Sequence, residues 1–302
     1  MDATEEPKAY QGSCHCGAFV FEVRTPGDLK SAIGCNCSSC TKKAYVWLFL
    51  PDSAVTVIRD DGLLREFVCG PHRSTHKFCS VCGTSVMAVN PEYRPGLAVN
   101  ARTLQGLSIW DLDVVVHDGV KINPQWIPPI YSGEEPALEM EGGQIYHGSC
   151  RCGDVQIAVK LRHALGVNNA LESTSVSGRE EQLVECNCSI CQRTGSISIT
   201  LPPSQTRLQN AQNLTAYNPG TSHIYKTLFC KTCGVHIYTE TDPAAHPEQV
   251  KVQELENEAR RADQAENVNV SINIRCFNDL EVDLLNLKTN KVDRQEGSVL
   301  NP

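Results

Sequence analysis

The chain has 302 residues, 41% of them hydrophobic and 21% charged, with a formal net charge of −8. That length is enough for two ordinary domains, each with its own core. The acidic balance, with no block of Lys or Arg against it, argues against nucleic acid as a partner, and no apolar run approaches the roughly 18–20 residues that span a bilayer.

The N-terminal Met1-Asp-Ala-Thr-Glu-Glu-Pro-Lys8 lacks the basic and apolar regions of a signal peptide, so a cytoplasmic location is expected. Next comes Tyr10-Gln-Gly-Ser-Cys-His-Cys-Gly17, followed by Phe19-Val-Phe-Glu-Val23, a short β-branched and aromatic run that reads as a strand. Cys35-Asn-Cys-Ser-Ser-Cys40 precedes a further strand, Tyr45-Val-Trp-Leu-Phe-Leu50, which Pro51 stops. Phe78-Cys-Ser-Val-Cys-Gly83 and Val99-Asn-Ala-Arg-Thr-Leu104 complete the set. A proline-rich connector from Asn123 to Pro136 cannot continue a sheet and puts a boundary near Leu138.

The same four blocks then return in order. They are Tyr146-His-Gly-Ser-Cys-Arg-Cys-Gly153, Cys186-Asn-Cys-Ser-Ile-Cys191, Phe229-Cys-Lys-Thr-Cys-Gly234 and Ile272-Asn-Ile-Arg-Cys-Phe277. Ser196-Ile-Ser-Ile-Thr-Leu201, ended by Pro202, and Val268 to Ile274 alternate as half-buried strands do. The expectation is a mainly β protein of two tandem modules, residues 1–138 and 139–302. The spacing from Cys14 to Cys150 is 136, those from Cys35 to Cys186 and Cys79 to Cys230 are both 151, and that from Asn100 to Asn273 is 173. The second module therefore carries insertions near 160–185 and 243–267, the latter reading as a solvated helix or a loop.

Sixteen cysteines in a reducing compartment call for metal rather than disulfides. Cysteines two apart on an extended chain point the same way, at about the outer limit of disulfide reach, so a C-x-C-x-x-C run suits one ion better than a bridge. Zinc closes structural sites with four ligands, commonly as two pairs from separate loops. The economical partition puts Cys14, Cys16, Cys79 and Cys82 on one zinc and Cys150, Cys152, Cys230 and Cys233 on another. Cys35, Cys37 and Cys40, and likewise Cys186, Cys188 and Cys191, are then left as trios with an open corner. A redox dithiol at the C-x-x-C pairs and an iron–sulfur cluster are the competing uses. Cys69 and Cys276 read as ordinary buried thiols.

The order Gly-Ser-Cys-x-Cys-Gly, Cys-x-Cys-x-x-Cys and Phe-Cys-x-x-Cys-Gly resembles the family of glutathione-dependent formaldehyde-activating enzymes, which includes centromere protein V. The resemblance covers Tyr10 to Val116 and Tyr146 to Leu287. It implies two β-tent modules, in which the outer pairs hold a structural zinc and the central trio a second, exchangeable one, up to four per chain. It also implies a carbon–sulfur lyase or S-hydroxymethylglutathione-forming activity with glutathione as co-substrate. Family members often place a Gly shortly after the trio. The second copy has Gly195, whereas the first has Ala44, which argues against an equally close backbone approach there.

A zinc held by three thiolates is a weak Lewis acid with a preference for soft ligands, so its open corner suits a small-molecule thiol or thiol adduct. His76, His223 and Arg193 are the candidates for proton transfer or charge stabilisation, with His72, Arg73 and Lys226 also near a metal block. His15 and Arg151, inside the C-x-C pairs, are expected to tune the sulfurs beside them. Lys42 and Lys43 are expected to face water. Two other readings are a scaffold whose zincs are all structural, and a zinc site recruited to another step on a reactive biosynthetic intermediate.

Overall fold

Along β2 (Phe19–Thr25) every second residue, Phe19, Phe21, Val23 and Thr25, is buried, the period-two pattern of a strand with one face on a core. The computed structural model describes residues 6–70, 74–92, 95–122, 126–162, 164–165, 182–220, 225–241, 270–278, 280, 287 and 289–294. Strands dominate these residues and the α-helices are short, so the protein is mainly β, as expected.

In the first half, β1 (Lys8–Ser13) and β5 (Val55–Asp60) flank β2 in a three-stranded antiparallel sheet. The larger sheet is built from β3 (Ser31–Cys35), β4 (Val46–Leu50), β6 (Leu64–Cys69), β7 (Ser74–Cys79), β8 (Ser85–Val89), β9 (Leu97–Asn100) and β10 (Asp113–His117). Its order is β10-β3-β4-β9-β8-β7-β6, antiparallel except for the β10–β3 pair. Helix α1 (Ser38–Lys43) joins β3 to β4, and α2 (Gly119–Ile122) follows β10.

The second half repeats this. Strands β11 (Gln144–Ser149), β12 (Gln156–Leu161) and β15 (Thr206–Gln209) form the small sheet. The large one uses β13 (Leu183–Cys186), β14 (Ile197–Leu201), β16 (Leu214–Tyr217), β17 (Tyr225–Cys230), β18 (His236–Thr241), β19 (Val270–Asn273) and β20 (Asn290–Val292). Its order, β20-β13-β14-β19-β18-β17-β16, matches the first strand for strand, with β20–β13 again parallel. Helix α3 (Ser189–Thr194) stands where α1 does. The helix or loop expected over 243–267, and much of the insertion near 160–185, lie outside the described residues.

The two halves pack on each other through equivalent surfaces. Phe229 and Tyr217 of the second half belong to the first half's core, and Phe67 of the first packs on the second's. A Cβ on Gly83 would lie 2.7 Å from the Phe229 ring, and one on Gly234 would lie 2.6 Å from the Phe78 ring, so each Cys-Gly turn is the floor for the other half's phenylalanine. Both phenylalanines are fully buried, each worth about 1.5–3 kcal/mol.

Polar ties cross the same boundary. Lys42 and Lys43, expected to face water, are each only 4% exposed. Lys42 Nζ donates to Ser149 O, Cys276 O and Asn278 Oδ1 at 3.0, 2.9 and 2.8 Å. Arg193, at the equivalent position of α3, donates to Ser13 O and Ser13 Oγ at 3.1 and 3.2 Å. Burial of a cation is tolerated here because its N–H groups meet acceptors. Lys43 Nζ instead lies 5.7, 5.7 and 5.1 Å from the ring centres of Tyr45, Phe67 and Phe78, and burial lowers its pKa.

Ala44 corrects another expectation. It ends α1 in the left-handed region, φ 52° and ψ 37°, close to the 59° and 27° of Gly195 after α3. The two helix ends meet, and a Cβ on Gly195 would fall 2.3 Å from that of Ala44. One methyl group fits at this junction, and the first half supplies it.

Candidate metal centres

In each half the paired strands β1–β2 and β7–β8, or β11–β12 and β17–β18, present their turns to one another. Cys14 lies just beyond β1 and Cys79 ends β7. The ladder shifts register between Lys77 and Phe78, and again between Leu228 and Phe229, next to the first cysteine of each C-x-x-C. The turn that follows is held by Gly83 N–H to Cys79 O at 2.9 Å and by Gly234 N–H to Cys230 O at 2.8 Å. These pairs therefore occupy hairpin turns and not the helix start of a redox dithiol.

The sulfurs of Cys14, Cys16, Cys79 and Cys82 all lie within 4.8 Å of one another, as do those of Cys150, Cys152, Cys230 and Cys233. Sulfurs of Cys14 and Cys16, and of Cys16 and Cys79, are 3.6 Å apart; the equivalent distances in the second half are 3.3 and 3.6 Å. Corners of a ZnS4 tetrahedron with bonds of about 2.3 Å are about 3.8 Å apart, so the donors fit one zinc. A [4Fe–4S] cluster would put each sulfur on a different iron and a [2Fe–2S] cluster two on each, and either would hold the four sulfurs further apart than they are. Phe19 N–H reaches Cys14 Sγ at 3.3 Å and Val155 N–H reaches Cys150 Sγ at 3.4 Å, the backbone donors a thiolate site needs.

The trios form at a strand-to-helix corner. Cys35 ends β3, Cys37 is the residue before α1 and Cys40 lies in its first turn, which gathers three sulfurs within 4.8 Å. Cys186, Cys188 and Cys191 repeat this at β13 and α3. Hydrogen bonds from Cys37 and Cys40, with the backbone N–H of Cys37, bring the Cys35 thiol down to about 3, and Cys188 and Cys191 bring Cys186 to about 2. Cys40 and Cys191 are raised by their neighbours and by burial. Each trio is thus arranged to share negative charge, the state a cation would take over. Among the described residues, no fourth Cys, His, Asp or Glu ligand atom joins either trio.

Asn36 and Asn187, the second residue of each hexapeptide, fasten the loop that covers the trio. Asn36 Nδ2 donates to Asp118 Oδ1 and its Oδ1 accepts from Val120 N–H, both at 3.0 Å. Asn187 makes the matching bonds to Asp293 and Arg294 at 2.7 Å. Sequence reasoning passed over this asparagine, although its repetition in both hexapeptides was the signal.

The trios differ in their walls. Trp47 Nε1 donates to Cys40 Sγ at 3.3 Å and its ring stacks on Tyr45 at 3.9 Å, with His76 tilted at 5.2 Å from Tyr45. At the equivalent positions the second half has Ser198, Ser196 and Thr227. Ser198 Oγ turns to Val184 O instead, and Thr227 Oγ1 pairs with His236 Nδ1. A Cβ on Gly119 would lie 2.5 Å from Cys35 Sγ, whereas by strand register Arg294 takes the matching position, its positive charge acting on Cys186.

Of the other expected site residues, His76 is buried beside this wall, and burial, with Lys43 nearby, lowers its pKa to about 3. Arg193 is spent on Ser13 and Ser189 O, the latter at 2.9 Å. Lys226 pairs with Glu240 at 3.0 Å on β17 and β18. His72, Arg73 and His223 lie outside the described residues. His15 and Arg151 do not turn to the sulfurs beside them. His15 bonds Ser189 Oγ at 3.0 Å and Tyr217 OH at 2.7 Å, and Arg151 Nε donates to Ser39 Oγ at 2.8 Å, each reaching the opposite half.

Paired β sheets, repeated, with a four-cysteine and a three-cysteine group in each repeat, define a tandem β protein whose clusters could hold zinc. The family model of the glutathione-dependent formaldehyde-activating enzyme matches residues 9–114 and 171–271. That is more than half of the chain, and the protein belongs to this zinc-binding, glutathione-related enzyme family. A Rhodobacter sphaeroides protein of known crystal structure is 25% identical, the match spanning 48% of this chain and 99% of that one with a TM-score of 0.30. Among the described residues no helix is long and apolar enough to cross a membrane.

Proposed function

We propose that this protein is a zinc-dependent enzyme acting on the sulfur adduct of a small thiol, with glutathione as the reference substrate. It would form a thiohemiacetal such as S-hydroxymethylglutathione, or break the equivalent carbon–sulfur bond. The observation that carries this reading is the contrast between groups that reach four sulfurs and groups that stop at three. In it the chain forms two units dividing near Leu138, each with one closed and one open centre, so that up to four zincs are held by the four cysteine groups. Sixteen free thiols suit a reducing compartment, and the reading includes a cytoplasmic location.

Zinc on a trio would supply a soft site that holds the incoming sulfur as thiolate. The chain's own residues orient this chemistry. Asn36 and Asn187 fix the covering loops, and the Trp47 indole N–H fixes Cys40. In the forward direction the thiol sulfur bonds to the aldehyde carbon, the C=O pair moves to oxygen, and the thiol proton ends on that oxygen. The reverse breaks the C–S bond and returns the proton to sulfur.

The test is to count metal and follow formation of S-hydroxymethylglutathione by NMR. The expected result is acceleration by the zinc-loaded chain, with two ions resisting a mild chelator and the others lost. Cys37→Ala or Cys188→Ala should lower the rate by at least about 10–100-fold, the scale of a disturbed metal site. A chain that holds only the chelator-resistant zinc and gives no acceleration overturns the reading.

A further inference from the structure

Each half's C-x-C turn carries one basic residue at its centre, and each of these crosses to the three-cysteine loop of the other half. Arg151 reaches Ser39, between Cys37 and Cys40; His15 reaches Ser189, between Cys188 and Cys191. Each trio thus borrows a basic side chain from more than 100 residues away in sequence.

What remains of the two groups differs. His15 has both ring nitrogens engaged, with Ser189 and Tyr217. Arg151 engages Nε alone, leaving the N–H groups of both Nη atoms. Its guanidinium carbon lies 4.9 Å from the centre of the Trp126 ring, the side chain is half-buried, and among the described residues no carboxylate pairs with it. Lys42, which also lies over Trp126 at 5.1 Å, has three acceptors already, and Lys43 is enclosed by aromatic rings. Lys43 Nζ also has no hydrogen-bond partner but is buried out of reach of a ligand, so among the described residues near the first trio Arg151 is the half-exposed cation with unspent donors.

A planar fork of N–H donors is matched in shape and charge by a carboxylate. A chain of net charge −8 repels anions at long range, so an anionic thiol needs such a local cation to be held. We infer that Arg151 of the second half anchors the carboxylate of the thiol used at the first half's three-cysteine centre. Its substrate class is then a carboxylate-bearing thiol or the aldehyde adduct of one. At the second centre the residue that crosses from the other half is a histidine with both nitrogens engaged, and the nearby arginine is that half's own exposed Arg294 beside Cys186. The inference rests on the thiol reading above and adds the residue, supplied by the opposite half, that holds the substrate's carboxylate at the first centre.

The test uses the full chain loaded with cobalt, whose absorption reports ligands entering the trios, titrated with 3-mercaptopropionate and with 2-mercaptoethanol. Wild type should bind the carboxylate thiol more tightly. Arg151→Gln should weaken it by about 10–100-fold, the scale of a charged hydrogen bond, and leave 2-mercaptoethanol unchanged. Arg151→Lys should recover part of the preference. If Arg151→Gln keeps the full preference, or weakens both thiols equally through damage at the boundary, the anchor is overturned and the thiol reading stands. If neither thiol changes the wild-type spectrum, the thiol reading itself fails and the anchor falls with it.

Discussion

The two halves share strand order, register shifts and cysteine spacing, yet the walls of their three-cysteine centres have little in common. Around Cys40 the first half has Trp47, Tyr45 and His76; around Cys191 the second has Ser198, Ser196 and Thr227. The four-cysteine groups are near copies, down to the backbone donors on Cys14 and Cys150. On the proposed reading, in which the tetrads close structural sites and the trios stay open, this contrast puts stability in the tetrads and specificity in the trios.

The strongest way to break that division is to remove one ligand of each kind. Structural zinc contributes apparent folding free energies of about 10–16 kcal/mol in small zinc domains, so Cys79→Ser and Cys230→Ser should abolish cooperative folding of their halves. Cys37→Ser and Cys188→Ser should leave the β circular-dichroism spectrum intact. Equal effects of the two kinds of substitution, read by circular dichroism with metal content, would end the distinction between closed and open centres.

A smaller effect tests the junction between halves. Gly195→Ala brings a second methyl group against Ala44 and Arg102, and overpacking of this kind costs about 1–3 kcal/mol. The Ala44→Gly/Gly195→Ala double variant should recover the part due to Ala44, because space is exchanged across that contact while Arg102 must still shift. Urea denaturation of the single and double variants measures the coupling, and simple additivity would mean that the helix ends do not meet.

A further effect, spread over several pH units, separates the halves by pH. His76 has a pKa of about 3 in the fold against an ordinary 6.5, because burial disfavours its charged form. The unfolded chain takes up that proton as pH falls through 6.5 and the folded chain does not until about 3. The stability this represents is present above pH 6.5 and is lost as pH falls towards 3, by up to about 1.4 kcal/mol per pH unit. His76→Phe should flatten the acid slope of the melting temperature relative to wild type, with the contribution of His236, lowered by burial to about 4, remaining. An unchanged slope would mean that His76 is not held neutral.

Much of this was legible in the residues. Spacing makes this partition of the cysteines the economical one among several, the sulfurs gather in those groups, and the runs Phe19 to Val23, Tyr45 to Leu50 and Ser196 to Leu201 fall within or against β2, β4 and β14. The parts that escaped belong to the boundary between halves. Lys42 reads as a solvated helix end because its acceptors, at Ser149 and Cys276, are 107 and 234 residues away. His15 and Arg151 read as neighbours of their own cysteines because local sequence does not reveal which way a turn residue points. Ala44 reads as a departure from the glycine pattern because the reason for the pattern, contact with its counterpart, lies in the other copy. The repetition of a basic residue at Lys42 and Arg193 was the visible hint of a shared docking role.

The single methyl at the meeting of α1 and α3 has a consequence for assembly. Two first halves brought together in the geometry found within this chain would press alanine on alanine, where only one side chain atom can sit. The first half is thereby directed away from its own kind and towards the glycine-bearing partner that the connector delivers at high local concentration.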